Sequence, residues 1–139
     1  MTDEGGVLAT LESYARAYCA KNTDALMALF DETAAVSLIG TGNDELCDDR
    51  EKIRAVFERN FADATAERFE WHWRHVTTAG DAAAVAATLT IHLDINGEKL
   101  RVPVRWTVAL VRRSNGWKWL HRNASVAASG QSSGAAYPR

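Results

Sequence analysis

The stretch Thr88-Leu-Thr-Ile-His-Leu-Asp-Ile-Asn-Gly-Glu-Lys-Leu-Arg-Val-Pro-Val-Arg-Trp106 decides the fold. Before Asn96-Gly97, apolar residues fall on every second position: Leu89, Ile91, Leu93 and Ile95. The opposite face carries Thr88, Thr90, His92 and Asp94. After it, Val102, Val104 and Trp106 resume the period and run on through Val108 and Leu110. A period of two puts alternate side chains on one face of a strand. Asn-Gly between two such runs predicts a tight hairpin, because both central residues of a type I′ turn need positive φ.

Working outward, Gly80-Asp81 marks an earlier turn and Asn115-Gly116 a later one. Phe69, Trp71, Trp73 and His75 alternate with Glu70, His72, Arg74 and Val76 on the preceding strand. On the last strand, Trp117, Trp119, His121, Asn123 and Ser125 alternate with Lys118, Leu120, Arg122, Ala124 and Val126. Four long strands joined by tight turns form an antiparallel meander, which twists and curls strongly.

The first half has the helical period instead. Val7, Leu8, Leu11, Tyr14, Ala15 and Tyr18 form one stripe of a helix over about residues 4–20. Asn22 is placed to cap a short second helix, with Leu26, Leu29 and Phe30 as its buried edge. A brief strand covers residues 34–39 and ends at Gly40. A third helix begins at Asp48 or Asp49 and buries Ile53, Val56, Phe57, Asn60 and Phe61; Asp48 with Glu51 has the capping-box spacing. Segregated helices and an antiparallel sheet make an α+β domain, with three helices packed on the concave face of a cone-shaped sheet. One domain is expected over residues 1–128, with a flexible polar tail over 129–139.

Composition narrows the function. Sixteen basic against 18 acidic residues leave a net charge of -2, which gives no electrostatic case for nucleic acid or an anionic membrane. No apolar run approaches the ~20 residues needed to span a bilayer. The acidic start Met1-Thr2-Asp3-Glu4 lacks the basic and apolar regions of a signal peptide, so a cytoplasmic protein is expected. Cys19 and Cys47 lack CxxC or Cys/His spacing and read as packing residues. His72 and His75 fall on opposite faces of a regular strand, so no metal site is expected there. The segment from Gly40 to Glu45 begins Gly-x-Gly but has Glu where a dinucleotide fingerprint needs its last glycine. Asp44 and Glu45 read as a solvated turn, or alternatively as carboxylates on a cavity rim. No cofactor is expected.

Two segments resemble a known family. The ending Arg105-Trp-Thr-Val-Ala-Leu-Val-Arg-Arg-Ser-Asn-Gly-Trp-Lys-Trp-Leu-His-Arg-Asn-Ala-Ser125 and the segment Val36-Ser-Leu-Ile-Gly-Thr-Gly-Asn-Asp-Glu45 look like the SnoaL-like branch of the nuclear transport factor two superfamily. The resemblance covers roughly residues 5–126. It implies a cystatin-like cone with a deep cavity, and a homodimer joined through the outer face of the sheet. Where many members carry a second histidine two residues before the closing serine, this chain has Asn123.

The resemblance implies inward positions for Trp71, Trp73, Trp106 and Trp119, beside Tyr14, Tyr18, Phe57 and Phe61 from the helices. Such rings either line a cavity for a small hydrophobic or cyclic molecule or pack as ordinary core. Asn123 and His121 share the last strand's cavity face in this reading. His121, with Tyr14 or Tyr18, is the candidate for acid–base catalysis in an isomerase, cyclase or dehydratase of polyketide- or steroid-like substrates. The alternative for His121 is a core histidine held by a hydrogen bond. Ketosteroid isomerase-like relatives take an aspartate from the first strand, where this chain has Ser37 and Leu38, so that mechanism is disfavoured. Three readings follow: a small-molecule binder, a cofactor-free enzyme, and a dimerisation module with a vestigial cavity.

Overall fold

The computed structural model describes residues 2–139. Thr2 caps the first helix, α1 (Asp3–Cys19), its hydroxyl accepting a hydrogen bond from the Gly5 amide at 3.0 Å. Asp3 and Glu4 in the first turn and Arg16 in the last complement the helix dipole. Val7, Leu11 and Tyr14 line its buried face. The helix stops where Lys21 turns left-handed (φ 54°) and the Asn22 amide reaches back to the Ala17 carbonyl at 2.9 Å. Asn22 then caps α2 (Thr23–Met27), as its side-chain chemistry suggests, by accepting from the Ala25 amide at 3.0 Å.

Two short strands follow, β1 (Ser37–Ile39) and β2 (Leu46–Cys47), the second too brief to show a period in the sequence. The third helix, α3 (Arg50–Asp63), is capped by Asp49, which accepts from the Lys52 amide at 2.8 Å. Asp48, one residue earlier, instead pairs with the Lys52 ammonium at 2.6 Å. The four long strands are β3 (Thr65–Ala79), β4 (Ala82–Ile95), β5 (Glu98–Arg113) and β6 (Gly116–Ser125). Asn96 and Gly97 both carry positive φ, 54° and 89°, as a type I′ hairpin requires. At the second hairpin only Gly116 does, at 112°.

The strands lie in the order β2-β1-β6-β5-β4-β3 in one curved, open sheet. The expected meander accounts for the antiparallel run β3-β4-β5-β6, while β1 adds to β6 in parallel and β2 pairs antiparallel with β1. The helices cover the inner face, where Val85, Leu89, Val104, Trp106, Val108 and Leu110 are buried. The architecture is therefore α+β. Residues 126–139 carry no helix or strand.

Bulges reset the faces of two strands. In β6, His121 pairs with Ala109 and Trp119 with Leu110, which leaves Leu120 without a partner. In β3, Trp71 pairs with Leu89 and Trp73 with Thr88, leaving His72 unmatched. An unpaired residue shifts the alternation by one, so every later side chain changes face. Trp73 consequently points outward, 55% exposed and stacked on His75, correcting the inward position expected for it. His72 lies outward as well, 2.8 Å from the Thr90 hydroxyl, so the opposite-face argument for the two histidines does not hold.

Candidate functional site

The inner face of the sheet and the helices line an open-mouthed cavity of about 260 Å³. Tyr14 and Tyr18 of α1 form one side, and Trp106 of β5 another. Ile91 and Leu93 of β4, with Val102 and Val104 of β5, supply aliphatic wall. Asn60 and Asp63, at the end of α3, and the 40–45 loop border it. From β6 come Arg122 and Ala124. Ala124 sits opposite Trp106 across the strand pair, the small side chain leaving room beside the large one.

Behind this lining lies a close-packed aromatic cluster. The Tyr14 ring stacks on Trp119 (5.0 Å, 13°) and meets Trp106 edge-on (4.9 Å, 83°). The Trp119 indole donates to the Thr10 hydroxyl at 2.8 Å, and that hydroxyl donates to the Val7 carbonyl at 2.7 Å. Every buried polar atom in that chain is thus satisfied, which fixes Trp119 and through it Tyr14. Burial holds the Tyr14 phenol well above its usual range, against the opposing pull of Arg122. Burial raises Tyr18 too.

Of the residues singled out in the sequence, the structure brings Tyr14, Tyr18 and Trp106 to the cavity. Phe57 and Trp119 are buried behind it in the core. Phe61 packs edge-on against Tyr18 (5.0 Å), and Trp71 packs against Trp106 (5.7 Å), with the Arg74 guanidinium 5.3 Å from the Trp71 ring. None of these four borders the cavity. His121 and Asn123 follow the Leu120 bulge and lie on the outer face, correcting their expected cavity-side position. His121 Nδ1 is 2.7 Å from the Ser37 hydroxyl, on the strand paired with it. That places the histidine away from the cavity, hydrogen-bonded to a serine of the neighbouring strand.

The same shift brings in Arg122, which strict alternation along the strand puts outside. The residue is 7% exposed, and its guanidinium donates from Nη1 to the Tyr14 hydroxyl at 2.9 Å and lies over Trp106 at 5.3 Å. Leu120, Ala124 and Val126 make the face expected to be outward about as apolar as the other, the one trace a phase change leaves in sequence.

Glu45 is the second buried charged residue of the cavity, and it is buried rather than solvated (8% exposed). Its Oε1 accepts from the Gly42 amide at 2.6 Å and its Oε2 from Arg59 at 2.9 Å. The Gly-x-Gly of this loop makes that possible. A Cβ on Gly40 or on Gly42 would stand 2.7 Å from Glu45 Oε1. Asp44 also pairs with Arg59, at 2.8 Å, and stays exposed; the guanidinium holds its carboxyl below the usual range. Among the described residues no group of three His, Cys, Asp or Glu side chains is arranged to hold a metal ion.

A model of the SnoaL-like domain matches residues 7–129. A search among curated proteins finds no significant match. Solved structures share the fold. A provisionally assigned aromatic ring hydroxylase from Novosphingobium aromaticivorans aligns with TM-score 0.80 at 21% identity, over 91% of this chain and 90% of that one. A provisionally assigned dehydratase of the NTF2-like family from Streptomyces avermitilis gives 0.77 at 21%, over 91% and 97%. An NTF2-like protein with a cystatin-like fold, also from N. aromaticivorans, gives 0.74 at 17%, over 94% and 85%.

Proposed function

The chain belongs to the SnoaL-like domain family, and from that premise we propose that it binds a small hydrophobic or cyclic molecule in the cavity between α1 and the sheet. The observation that carries this reading is the mixed lining: the rings of Tyr14, Tyr18 and Trp106 and the aliphatic side chains of β4 and β5 meet two buried polar groups, Arg122 and Glu45. Apolar walls supply affinity, and a few fixed polar groups supply orientation. Native mass spectrometry tests it on the wild type and on Ala124→Phe, which fills the space beside Trp106. The wild type is expected to carry, or take up from a panel of cyclic metabolites, one molecule that leaves on unfolding; the variant is expected to carry none. A wild type that takes up nothing, or equal occupancy in both, would sink the reading.

A second reading is a cofactor-independent isomerase, cyclase or dehydratase. Its support is that Tyr14 and Glu45 border one cavity. In this form Glu45, and not the outward His121, is the carboxylate or base partner of Tyr14. Turnover of an identified ligand that survives Glu45→Gln would remove it.

We propose further that two copies associate through the outer face of the sheet, where Trp73, Leu100 and Val126 leave apolar surface exposed. A cytoplasmic setting belongs to the same proposal and is supported by the two free thiols, Cys19 and Cys47. No helix among the described residues is long and apolar enough to cross a membrane.

A further inference from the structure

Arg122 is a buried cation with no carboxylate within ion-pair distance among the described residues. Its Nη1 donates to Tyr14 at 2.9 Å, and its Nη2 reaches the Ile39 carbonyl at 3.4 Å, the long limit of a hydrogen bond. Its Nε has no acceptor among the described residues. Nor does it enter any ion pair there, since Glu45, the buried carboxylate of the same cavity, is committed to Arg59 and to the Gly42 amide. Asp63 borders the cavity but stands exposed and forms no ion pair with Arg122.

A guanidinium cannot relieve burial by losing its proton, because it stays charged at any physiological pH. An unpaired buried charge is costly. The faces of Trp106 and Tyr14, at 5.3 and 6.0 Å, offset only part of that cost. The group is therefore held in place with donor capacity unspent, in a cavity wall where ring and aliphatic surface on the α1 and sheet sides faces Glu45, Asn60 and Asp63 at the rim.

We infer that the ligand of this cavity is a monoanion, a carboxylate carried on a flat aromatic or alicyclic body, and that Arg122 supplies its counter-charge. This inference rests on the small-molecule reading proposed above. A single carboxylate matches the one guanidinium of the wall that has no ion-pair partner. A dianion such as a phosphate monoester would leave excess negative charge near Glu45 and Asp63, which disfavours it. The body has to be apolar and thin enough to lie among Tyr14, Tyr18 and Trp106, with the carboxylate turned to β6.

The test compares matched pairs on the full chain: 2-naphthoate against 2-naphthamide and benzoate against benzamide, by isothermal titration calorimetry at constant ionic strength. The carboxylates are expected to bind about tenfold or more tightly than the amides, as a charge-assisted contact to a buried arginine allows. In Arg122→Met, checked for folding by circular dichroism, the preference is expected to vanish. A second measurement needs no variant: in the wild type, the Arg122 guanidinium N–H resonances should shift on adding 2-naphthoate and not on adding 2-naphthamide. Equal binding of acid and amide would overturn the monoanion inference and leave the cavity reading standing. Failure of all four compounds to bind would overturn both. A preference retained in Arg122→Met, or guanidinium N–H resonances indifferent to the acid, would remove Arg122 from the role.

Discussion

Arg122 Nη1 donates to the Tyr14 hydroxyl across 2.9 Å, tying the last strand to the first helix over a separation of 108 residues. The same phenol stacks on Trp119, so one ring joins the polar wall of the cavity to the core. Tyr14→Phe removes the acceptor and leaves a further guanidinium nitrogen unpaired. It is expected to lower stability by about 1–3 kcal/mol in urea unfolding, the usual cost of a buried donor left alone. Because burial raises the Tyr14 pKa in the folded state, unfolding releases a proton in alkali. Its stabilisation is complete below the ordinary phenol pKa of about 10 and is lost as pH rises above it. Tyr14→Phe should therefore show a shallower alkaline loss of stability than the wild type.

His121 lies on the other face, 2.7 Å from the Ser37 hydroxyl. Its substitution by alanine is expected to leave affinity for any cavity ligand unchanged while lowering stability by about 0.5–1.5 kcal/mol, the worth of one hydrogen bond. Loss of ligand binding in a folded His121→Ala protein would contradict the placement.

Gly40 has no room for a side chain, since an added methyl would meet Glu45 Oε1 at 2.7 Å and Glu45 Cβ at 2.9 Å. In Gly40→Ala the glutamate has to leave its place beside Gly42 and Arg59. A fall in melting temperature of several degrees is expected, consistent with the loss of about 1–2 kcal/mol in a domain of this size. Pairing with Glu45→Gln separates clash from charge: if the clash acts through Glu45, the double variant loses less than the sum of the two singles.

Asp31 is buried and accepts from Arg113 Nε at 2.9 Å, from the Ala34 amide at 2.8 Å and from the Thr33 amide at 3.2 Å. Chiefly the Arg113 contact, then the Ala34 amide, hold its carboxyl far below the usual range. The folded state thus binds a proton less readily than the unfolded chain. Its stabilisation is present above the unfolded pKa of about 4 and is lost as pH falls below it. Asp31→Asn is expected to be less stable at pH 7 and to show a flatter stability profile between pH 4 and pH 2, measured by thermal melts across that range.

Trp73 stands 55% exposed on the outer face beside His75. If two copies meet there, sedimentation equilibrium at micromolar concentration should give twice the chain mass for the wild type and the single-chain mass for Trp73→Glu. Monomer mass for the wild type would end the dimer proposal.

Much of the fold is legible in the amino-acid sequence. Alternation in Leu89–Ile95 and Val102–Leu110, with Asn96-Gly97 between, specifies β4, β5 and their turn, because period and positive φ are local properties. The stripe Val7–Leu11–Tyr14 specifies α1, and Asn22 the cap of α2. Of the candidate site, Tyr14, Tyr18 and Trp106 are recoverable from those same periods.

The inward Arg122 is not, nor is the burial of Glu45, which the residues offer only as one alternative for a rim carboxylate, and neither are the outward turns of Trp73, His121 and Asn123. A bulge is chosen by what the strand pairs with: Leu120 is left over because Leu110 takes Trp119 and Ala109 takes His121, while Phe30 bridges Trp119 from the other side. Glu45 is buried because Arg59, 14 residues on, reaches back to it. Sequence by itself determined the elements, since periodicity, caps and turns depend on neighbours along the chain. Only the tertiary structure decided which charge faces the cavity, because one unpaired residue reverses a strand's alternation, and its position is set by partners distant in the chain.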